Sequence, residues 1–374
     1  MRSESRFPAR VVARPKHWVK RLLAGLAFAI LLVLLIGFTY EQVGRSRDRR
    51  MLPPRIGRAV DIGGRSINLY CSGSGIPSVI LETGAGSAGY AWVLVQPKIA
   101  AFTQACWYDR AGVGWSDPPP TPRTSATITN DLHETLHRGR ITPPYVLVGW
   151  SIGGEHVRIF TAKFPGEVAG LVLVDSGHPD QNEPRSMKSP YNLMSPAKRE
   201  FLCATWPAMD RFGFLRLVGF FKPQSAPPQL SSEQRRVYSL LRSQRMAFET
   251  GATEGCAATN GGAVVPAGGT GNPEVDNAAR AAGNLGVRPL IVLTAGKYFT
   301  PRDPVSAQEV SAFHEVWVHQ LQAGLARLST RGKQVIVENS DHGIGFQAPD
   351  AVVNAVQEVV TQLRSASGRD PGIR

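Results

Sequence analysis

The chain has 374 residues, 43% of them hydrophobic and 19% charged, which is enough for one large globular domain with an insertion or for two ordinary domains. Its net charge of +13 is of the kind found in nucleic-acid-binding proteins. Residues 1–58 alone carry +10 of that charge, so the rest of the chain is close to neutral. The composition excludes a disordered chain, and the charge distribution argues against nucleic acid as a partner.

An uncharged stretch, LLAGLAFAILLVLLIGFTY at residues 22–40, separates a basic tail at residues 1–21 from a second basic cluster. As a helix of ~1.5 Å per residue it is about 28 Å long, close to the thickness of a bilayer core. No A-x-A cleavage pattern follows it, so we predict an uncleaved membrane signal anchor rather than a cleaved signal or a buried core helix. Seven Lys and Arg residues precede the stretch and four follow closely, which favours an extracytoplasmic main domain.

After a predicted linker at residues 41–56, a hairpin is followed by apolar strands that alternate with helical segments. Strands that are apolar throughout indicate a mostly parallel sheet with helices on both faces. The alternation stops near His178 and resumes at Val287. We therefore predict an α/β core formed by residues 57–177 and 287–374, into which residues 178–286 are inserted as a helical cap.

Two segments of the predicted cap, residues 196–221 and 231–249, have helical spacing. The first is rich in large apolar side chains, which suggests an apolar substrate, although ordinary packing within the cap explains them equally. These side chains are Phe212, Phe214, Leu215, Leu217, Phe220 and Phe221.

The four cysteines show neither CxxC nor zinc-site spacing, so no metal site is predicted. An exported domain permits disulfides. Cys71 ends one predicted strand, and Cys106 begins another. Cys203 and Cys256 both fall in the predicted cap. We hypothesise two bridges, Cys71–Cys106 and Cys203–Cys256, with buried free thiols as the alternative.

The stretch VLVGWSIGG at residues 146–154 contains the pattern Gly-x-Ser-x-Gly between a predicted strand and a predicted helix. Small residues at Gly149 and Gly153 permit a tight turn that exposes the hydroxyl of Ser151. In this strand–turn–helix context the serine is predicted to be a nucleophile. The alternative is a serine that merely caps the following helix.

A serine nucleophile needs a base, and only one histidine follows the last apolar strand. His342 lies there in a Ser-Asp-His-Gly loop, which matches a chain order with the nucleophile first and the base last. Seven other histidines are assigned to tails, helix faces or packing: His17, His133, His137, His156, His178, His314 and His319.

From about Gly57 to its C-terminus the chain resembles the α/β-hydrolase family. The stretches that carry the resemblance are LETGAGSAG, YDRAGVGWSD, VGWSIGG, VAGLVLVDSGH, PLIVLTAG and SDHGIG. The resemblance implies an α/β-hydrolase fold and a Ser-His-acid triad with no cofactor. It also implies structural turn roles for Asp109 and Arg110, and we assign Glu82 no catalytic role.

The acid is the least certain member of the predicted triad. Many family members carry an aspartate three residues after the glycine that matches Gly296, but here that position is Phe299. Two candidates remain: Asp175, which directly follows a strand, and Asp303, in the loop after Gly296. We favour Asp175, and we expect Asp341 to point away from its neighbour His342.

The resemblance also implies an oxyanion site built from two backbone N–H groups. One belongs to Ile152, directly after the nucleophile. Matching Thr83-Gly84-Ala85 to the corresponding family loop assigns the second to Ala85. Three hypotheses follow from the sequence: a serine hydrolase acting on an apolar ester-like or amide-like substrate, a cofactor-free haloperoxidase or C–C bond hydrolase, and a non-catalytic membrane-tethered binding module. Oligomeric state is not predicted.

Overall fold

A computed structural model of the protein describes eight stretches of the chain: residues 17–119, 123–181, 196–219, 226–244, 246–247, 250, 273–297 and 305–368. Eight strands form one sheet. Their bounds are β1 Arg58–Asp61, β2 Ser66–Ser72, β3 Ser78–Glu82, β4 Ala105–Tyr108, β5 Tyr145–Trp150, β6 Val168–Val174, β7 Leu290–Ala295 and β8 Gly332–Val337. Their order across the sheet is β1-β2-β4-β3-β5-β6-β7-β8.

The predicted mostly parallel sheet is confirmed. β1 and β2 form the predicted antiparallel hairpin, β2 pairs antiparallel with β4, and every other neighbouring pair is parallel. The register of β2 and β4 sets Cys71 opposite Cys106, and these two residues form the predicted disulfide. Cys256, the predicted partner of Cys203, lies outside the described residues.

Helices cover both faces of the sheet. Their bounds are α1 His17–Arg50, α2 Gln96–Ala100, α3 Ser125–Arg138, α4 Ile152–Lys163, α5 Pro196–Arg211, α6 Phe214–Leu217, α7 Ser232–Arg242, α8 Pro273–Ala281, α9 Ala307–Val316, α10 Ala323–Ala326, α11 Ile344–Gln347 and α12 Pro349–Ala366. A short 3₁₀ helix, Gly89–Trp92, and a π-helical turn, Trp317–Gln322, complete the set. Successive side chains of β3 point to opposite faces of the sheet. Val79 and Leu81 therefore pack in the apolar cluster on one face, and Ile80 packs in the cluster on the other.

The N-terminal helix α1 is a candidate transmembrane span. It is 34 residues long, and none of the 18-residue window that is most apolar is buried. It does not end with the uncharged stretch at residue 40 but continues to Arg50, so the first ten residues of the predicted linker 41–56 are helical. The chain then reaches β1 after residues 51–57.

The predicted cap region, residues 178–286, contains α5 to α8, and α8 packs on α4, the helix that follows Ser151. The sequence did not predict α8. Val275 and Ala279 of α8 form an apolar cluster with Ile152 and Ile159 of α4. This contact fixes one side of the cap on the helix that begins at the candidate nucleophile.

Two carboxyl groups, Glu155 of α4 and Asp276 of α8, meet inside this contact. Burial raises the pKa of Asp276 to about 7. Burial, and then the nearby Asp276 carboxylate, raises the pKa of Glu155 well above its usual value. Like charges in a buried contact cannot both ionise cheaply, so we expect the two groups to share a proton in the folded protein.

Because this pair is expected to hold a proton in the folded protein, the free energy of unfolding should fall as pH rises. A carboxyl whose folded-state pKa is raised contributes its stabilisation fully below the unfolded pKa of about 4, and that contribution is lost as pH rises through about 7. Between pH 5 and pH 8 we expect the free energy of unfolding to fall by on the order of 2 kcal/mol through this pair. Denaturant unfolding at a series of pH values measures it.

Asp276→Asn removes one titrating group while keeping a donor for Glu155, so its unfolding free energy is expected to depend less on pH. The matched control is Asp350→Asn, a change at an exposed side chain paired with Lys98, which should keep the wild-type slope. Identical slopes for Asp276→Asn and the wild type would contradict the shared-proton account.

Candidate active site

Ser151 sits at a sharp turn between β5 and α4. Its φ of 57° and ψ of −131° lie in a region that residues with a side chain rarely adopt. Such strain persists only where the surroundings enforce it. The glycines on either side let the backbone pack closely around this turn. A Cβ on Gly149 would lie 2.5 Å from the Gly153 carbonyl oxygen, and a Cβ on Gly153 would lie 2.6 Å from the Thr83 carbonyl oxygen.

The alternative role of Ser151 as a helix cap finds no support in this geometry. The side chain makes no capping hydrogen bond to α4. Ser151 is nevertheless almost buried, at 5% exposure, with its backbone carbonyl bonded by Gly154 N and Gly177 N. The Ser151 hydroxyl is therefore not used to cap α4.

His342 lies in the loop after β8 and reaches the carboxyl end of β6. Its Nδ1 is 2.6 Å from Asp175 Oδ2. The indole of Trp150, the residue before Ser151, donates to the His342 carbonyl oxygen at 2.8 Å, and the two rings lie 5.5 Å apart. Asp341 is exposed and accepts the Gly343 N–H at 2.8 Å, so it is oriented away from the imidazole as expected.

Asp175 follows the last residue of β6 and is completely buried. Its φ of 39° is a second positive value at this edge of the sheet. Oδ1 accepts from Ala295 N at 3.1 Å and from Trp317 Nε1 at 2.9 Å, while Oδ2 faces His342. These contacts fix the carboxylate and leave Oδ2 for the imidazole. The other candidate acid, Asp303, lies outside the described residues.

Trp317 donates a hydrogen bond to Asp175 that the sequence did not predict. It opens the π-helical turn Trp317–Gln322, and Gln322 at the end of that turn donates to the Ser176 carbonyl oxygen at 2.7 Å. A π-helical turn shifts side chains around the helix axis, and such turns are frequent at functional sites. No local sequence pattern announces the turn, because the surrounding residues read as one continuous helix.

The predicted oxyanion loop passes directly beside Ser151. A Cβ on Gly84 would lie 3.2 Å from the Ser151 Cβ, so a larger residue here would have to push the serine turn away by a few tenths of an ångström. Ile152 is the first residue of α4, and its N–H has no partner within the helix. Ala85 is at the loop tip, where its carbonyl oxygen accepts from Arg242 of α7 at 3.4 Å. Ile152 thus directly follows the serine, and Ala85 directly follows the glycine that lies against it.

A buried ion pair between Arg110 and Glu82 fixes the position of the loop that contains Gly84. Arg110 bonds to the Glu82 carboxylate and donates to the carbonyl oxygens of Thr83 and Gly84, each at 2.8 Å. Burial would raise the pKa of Glu82, but Arg110, His156 and Tyr108 together hold it below its usual value. Glu82 is therefore a charged anchor for the loop, in agreement with the absence of a catalytic assignment.

Asp109 has the structural turn role that the sequence implied. Its carboxyl accepts from Gly89 N at 2.7 Å, Trp115 N at 3.0 Å and Asn68 Nδ2 at 3.0 Å. Burial raises the pKa of Asp109 to about 6, and these donors oppose the rise. The residue ties the turn after β4 to two other segments.

This combination of fold and site defines an α/β hydrolase. The sequence model of the alpha/beta hydrolase family matches residues 79–355, and the chain belongs to that family. Among solved structures, a bromoperoxidase from Bacillus anthracis superposes with a TM-score of 0.54 and 18% identity, covering 81% of this chain and 99% of that chain. That likeness shows the fold, as expected from the sequence.

Curated relatives are similar over part of the chain. YbdG of Bacillus subtilis (strain 168), an uncharacterized protein, is 28% identical over 165 residues, which cover 44% of this chain and 50% of YbdG. The 2-hydroxymuconate semialdehyde hydrolase of Pseudomonas sp. (strain CF600) is 30% identical over 125 residues, covering 33% of this chain and 44% of that protein. The chain thus spans about half the length of these relatives or less.

Because the Trp317 indole donates to Asp175, we expect Trp317 to position this carboxylate for hydrolysis. Trp317→Phe removes the N–H donor to Asp175 and keeps an aromatic ring. A hydrogen bond to a charged group contributes about 1.5 kcal/mol or more, so kcat should fall roughly tenfold with little change in KM. Steady-state kinetics of ester hydrolysis provide the measurement.

The matched control for this change is Phe313→Leu. The Phe313 ring stacks on the same indole at 5.9 Å, so the substitution disturbs packing but leaves the donor in place. It should alter kcat by no more than about twofold if the hydrogen bond is what matters. A loss as large as that in Trp317→Phe would assign the effect to packing.

Proposed function

We propose that the protein is a membrane-anchored serine hydrolase that cleaves an apolar ester-like or amide-like bond through Ser151, His342 and Asp175. The observation that carries the proposal is the 2.6 Å contact between His342 Nδ1 and Asp175 Oδ2, at the sheet edge where Ser151 is held in a strained turn. A buried carboxylate on Nδ1 keeps the proton there and leaves Nε2 as the basic nitrogen. That is the arrangement a serine nucleophile requires.

In the proposed reaction, His342 Nε2 takes the proton of the Ser151 hydroxyl as its oxygen attacks the substrate carbonyl. The tetrahedral oxyanion accepts hydrogen bonds from the backbone N–H groups of Ile152 and Ala85. Collapse breaks the bond to the leaving group, which receives the proton from His342, and an acyl-serine forms. Water, deprotonated by His342, then releases the acid and restores the serine.

The preference for an apolar substrate is supported by the rings around the serine. Trp150 contacts Trp92 and Phe346 edge-on, at 6.5 Å and 6.2 Å between ring centroids. Tyr238 of the cap helix α7 contacts Phe346 at 5.5 Å. This aromatic packing directly beside Ser151 supports an apolar acyl or alcohol group in the substrate.

The location of the catalytic domain is proposed from α1 and from the disulfide. α1 has the length and apolarity of a single span, and the Cys71–Cys106 bridge is typical of an oxidising compartment. Together with the Lys and Arg bias before the span, these features favour an extracytoplasmic catalytic domain.

C–C bond hydrolysis with the same residues is the second candidate. It is supported by the similarity to the 2-hydroxymuconate semialdehyde hydrolase over a third of the chain. Product analysis with 2-hydroxymuconate semialdehyde and with a simple ester distinguishes the two activities. The non-catalytic alternative rested on the missing aspartate after Gly296, and the Asp175–His342 contact supports a complete triad instead.

The nucleophile is tested by Ser151→Ala. We expect hydrolysis of short p-nitrophenyl esters to fall by about three orders of magnitude or more, and labelling by a fluorophosphonate probe to disappear. Ser176→Ala is the matched control, since Ser176 is a buried serine one strand away whose hydroxyl bonds to the Gly177 carbonyl oxygen. Undiminished activity or labelling in Ser151→Ala would refute the proposal.

The acid is tested by comparing Asp175→Asn with Asp303→Asn. Asparagine at residue 175 favours the wrong imidazole tautomer, so kcat should fall by roughly three to four orders of magnitude. Asp303→Asn should retain near-normal kcat. The reverse ranking would transfer the role to Asp303.

A further inference from the structure

The cap presents an exposed apolar face beside the N-terminal helix. Phe214, Leu217 and Val218 are 48%, 73% and 55% exposed, and their i, i+3, i+4 spacing sets them on one side of α6. Leu215, on the other side, is only 3% exposed. The sequence suggested substrate contact or internal packing for these side chains, and the exposure of Phe214 and Leu217 is consistent with neither.

The position of this face along α1 is fixed by close backbone contacts. A Cβ on Gly37 would lie 2.5 Å from the Phe212 carbonyl oxygen. A Cβ on Gly213 would lie 2.9 Å from the Gly37 carbonyl oxygen and 3.4 Å from the Glu41 Cβ. Gly37 belongs to the uncharged stretch and Glu41 is the first charged residue after it. The α5–α6 turn therefore meets α1 where its apolar part ends.

Ion pairs hold the turn at that position. Glu41 is completely buried on α1, where Arg216 of α6 donates to both its carboxylate oxygens at 3.2 Å. Arg216 also bonds Asp48 Oδ2 at 2.6 Å, and Arg45 pairs with Asp210 at 3.4 Å. All these charges lie on the C-terminal side of the uncharged stretch. These polar contacts lie beside residues 41–48 of α1, while the Phe212–Gly213 turn that leads into α6 lies against Gly37, near the end of the uncharged stretch.

Length arithmetic places this contact at a bilayer surface. A helix needs about 20 residues to cross a hydrocarbon core of about 30 Å, whereas α1 has 34. If residues 22–40 fill the core, residues 41–50 stand outside it, and Gly37 to Glu41 lie at the boundary. Aromatic and aliphatic side chains next to a span at that depth are stable in lipid.

We propose that Phe214, Leu217 and Val218 enter the lipid bilayer beside α1, so that the cap rests on the membrane. The occupant of this face is the acyl and headgroup boundary of the same bilayer that α1 crosses. The inference rests on the membrane span of the proposed function, and it adds a second membrane contact made by the cap.

The test uses the full chain in phosphatidylcholine nanodiscs that contain a phosphatidylcholine with a photoactivatable diazirine on its acyl chain. After illumination, cross-links are mapped by mass spectrometry. We expect labelling both in residues 22–40 and in residues 212–218. The internal reference is Val287, an equally exposed apolar residue (72%) before β7, which should remain unlabelled.

The outcomes separate the two ideas. Labelling of residues 22–40 without residues 212–218 overturns the cap contact and leaves the span intact. Absence of label from residues 22–40 overturns the span itself. Label on Val287 equal to that on residues 212–218 indicates non-specific exposure and also overturns the cap contact.

A pair of variants sharpens the result. Leu217→Glu should reduce labelling of residues 212–218 by roughly fivefold or more, because a carboxylate resists entry into hydrocarbon. Labelling of residues 22–40 should not change. Val287→Glu, matched in chemistry and exposure, should alter neither signal. Equal labelling of residues 212–218 in Leu217→Glu and wild type would contradict the proposal.

Discussion

The site depends on one hydrogen bond, between His342 Nδ1 and Asp175 Oδ2, which joins residues 167 positions apart in the chain. It forms because parallel strands end at the same edge of the sheet, so residues that follow β6 and β8 come together across β7. Its geometry is set from the acid side. Ala295 N and Trp317 Nε1 occupy Oδ1, so that only Oδ2 is directed at the imidazole.

The predicted oxyanion loop shows how a buried ion pair can fix the position of a backbone segment. Arg110 and Glu82 are both inaccessible to solvent, and removing one partner of such a pair costs about 3–5 kcal/mol. Because Arg110 also binds the carbonyl oxygens of Thr83 and Gly84, the loop is held by the same groups that neutralise the charge. The glycine at residue 84 then brings that loop against Ser151.

The sheet and the residues at its edge were predictable because each depends on local signals. Apolar runs gave β3 to β8, and the glycines around Ser151 indicated a turn whose positive φ the structure contains. The Trp317 donor and α8 were not predictable. The π-helical turn that aims Trp317 has no sequence signature, and α8 follows a glycine-rich stretch that gives no helical period before it.

The predicted linker illustrates a different limit, since charge and composition do not reveal docking. Residues 41–50 read as polar linker, yet they continue α1 because Arg216 and Asp210 of the cap pair with their charges. Only residues 51–57 then remain between helix and sheet, which leaves the domain little freedom to move away from α1. Since α7 of the same region bonds the predicted oxyanion loop through Arg242, the predicted cap contacts both the candidate membrane helix and the candidate active site.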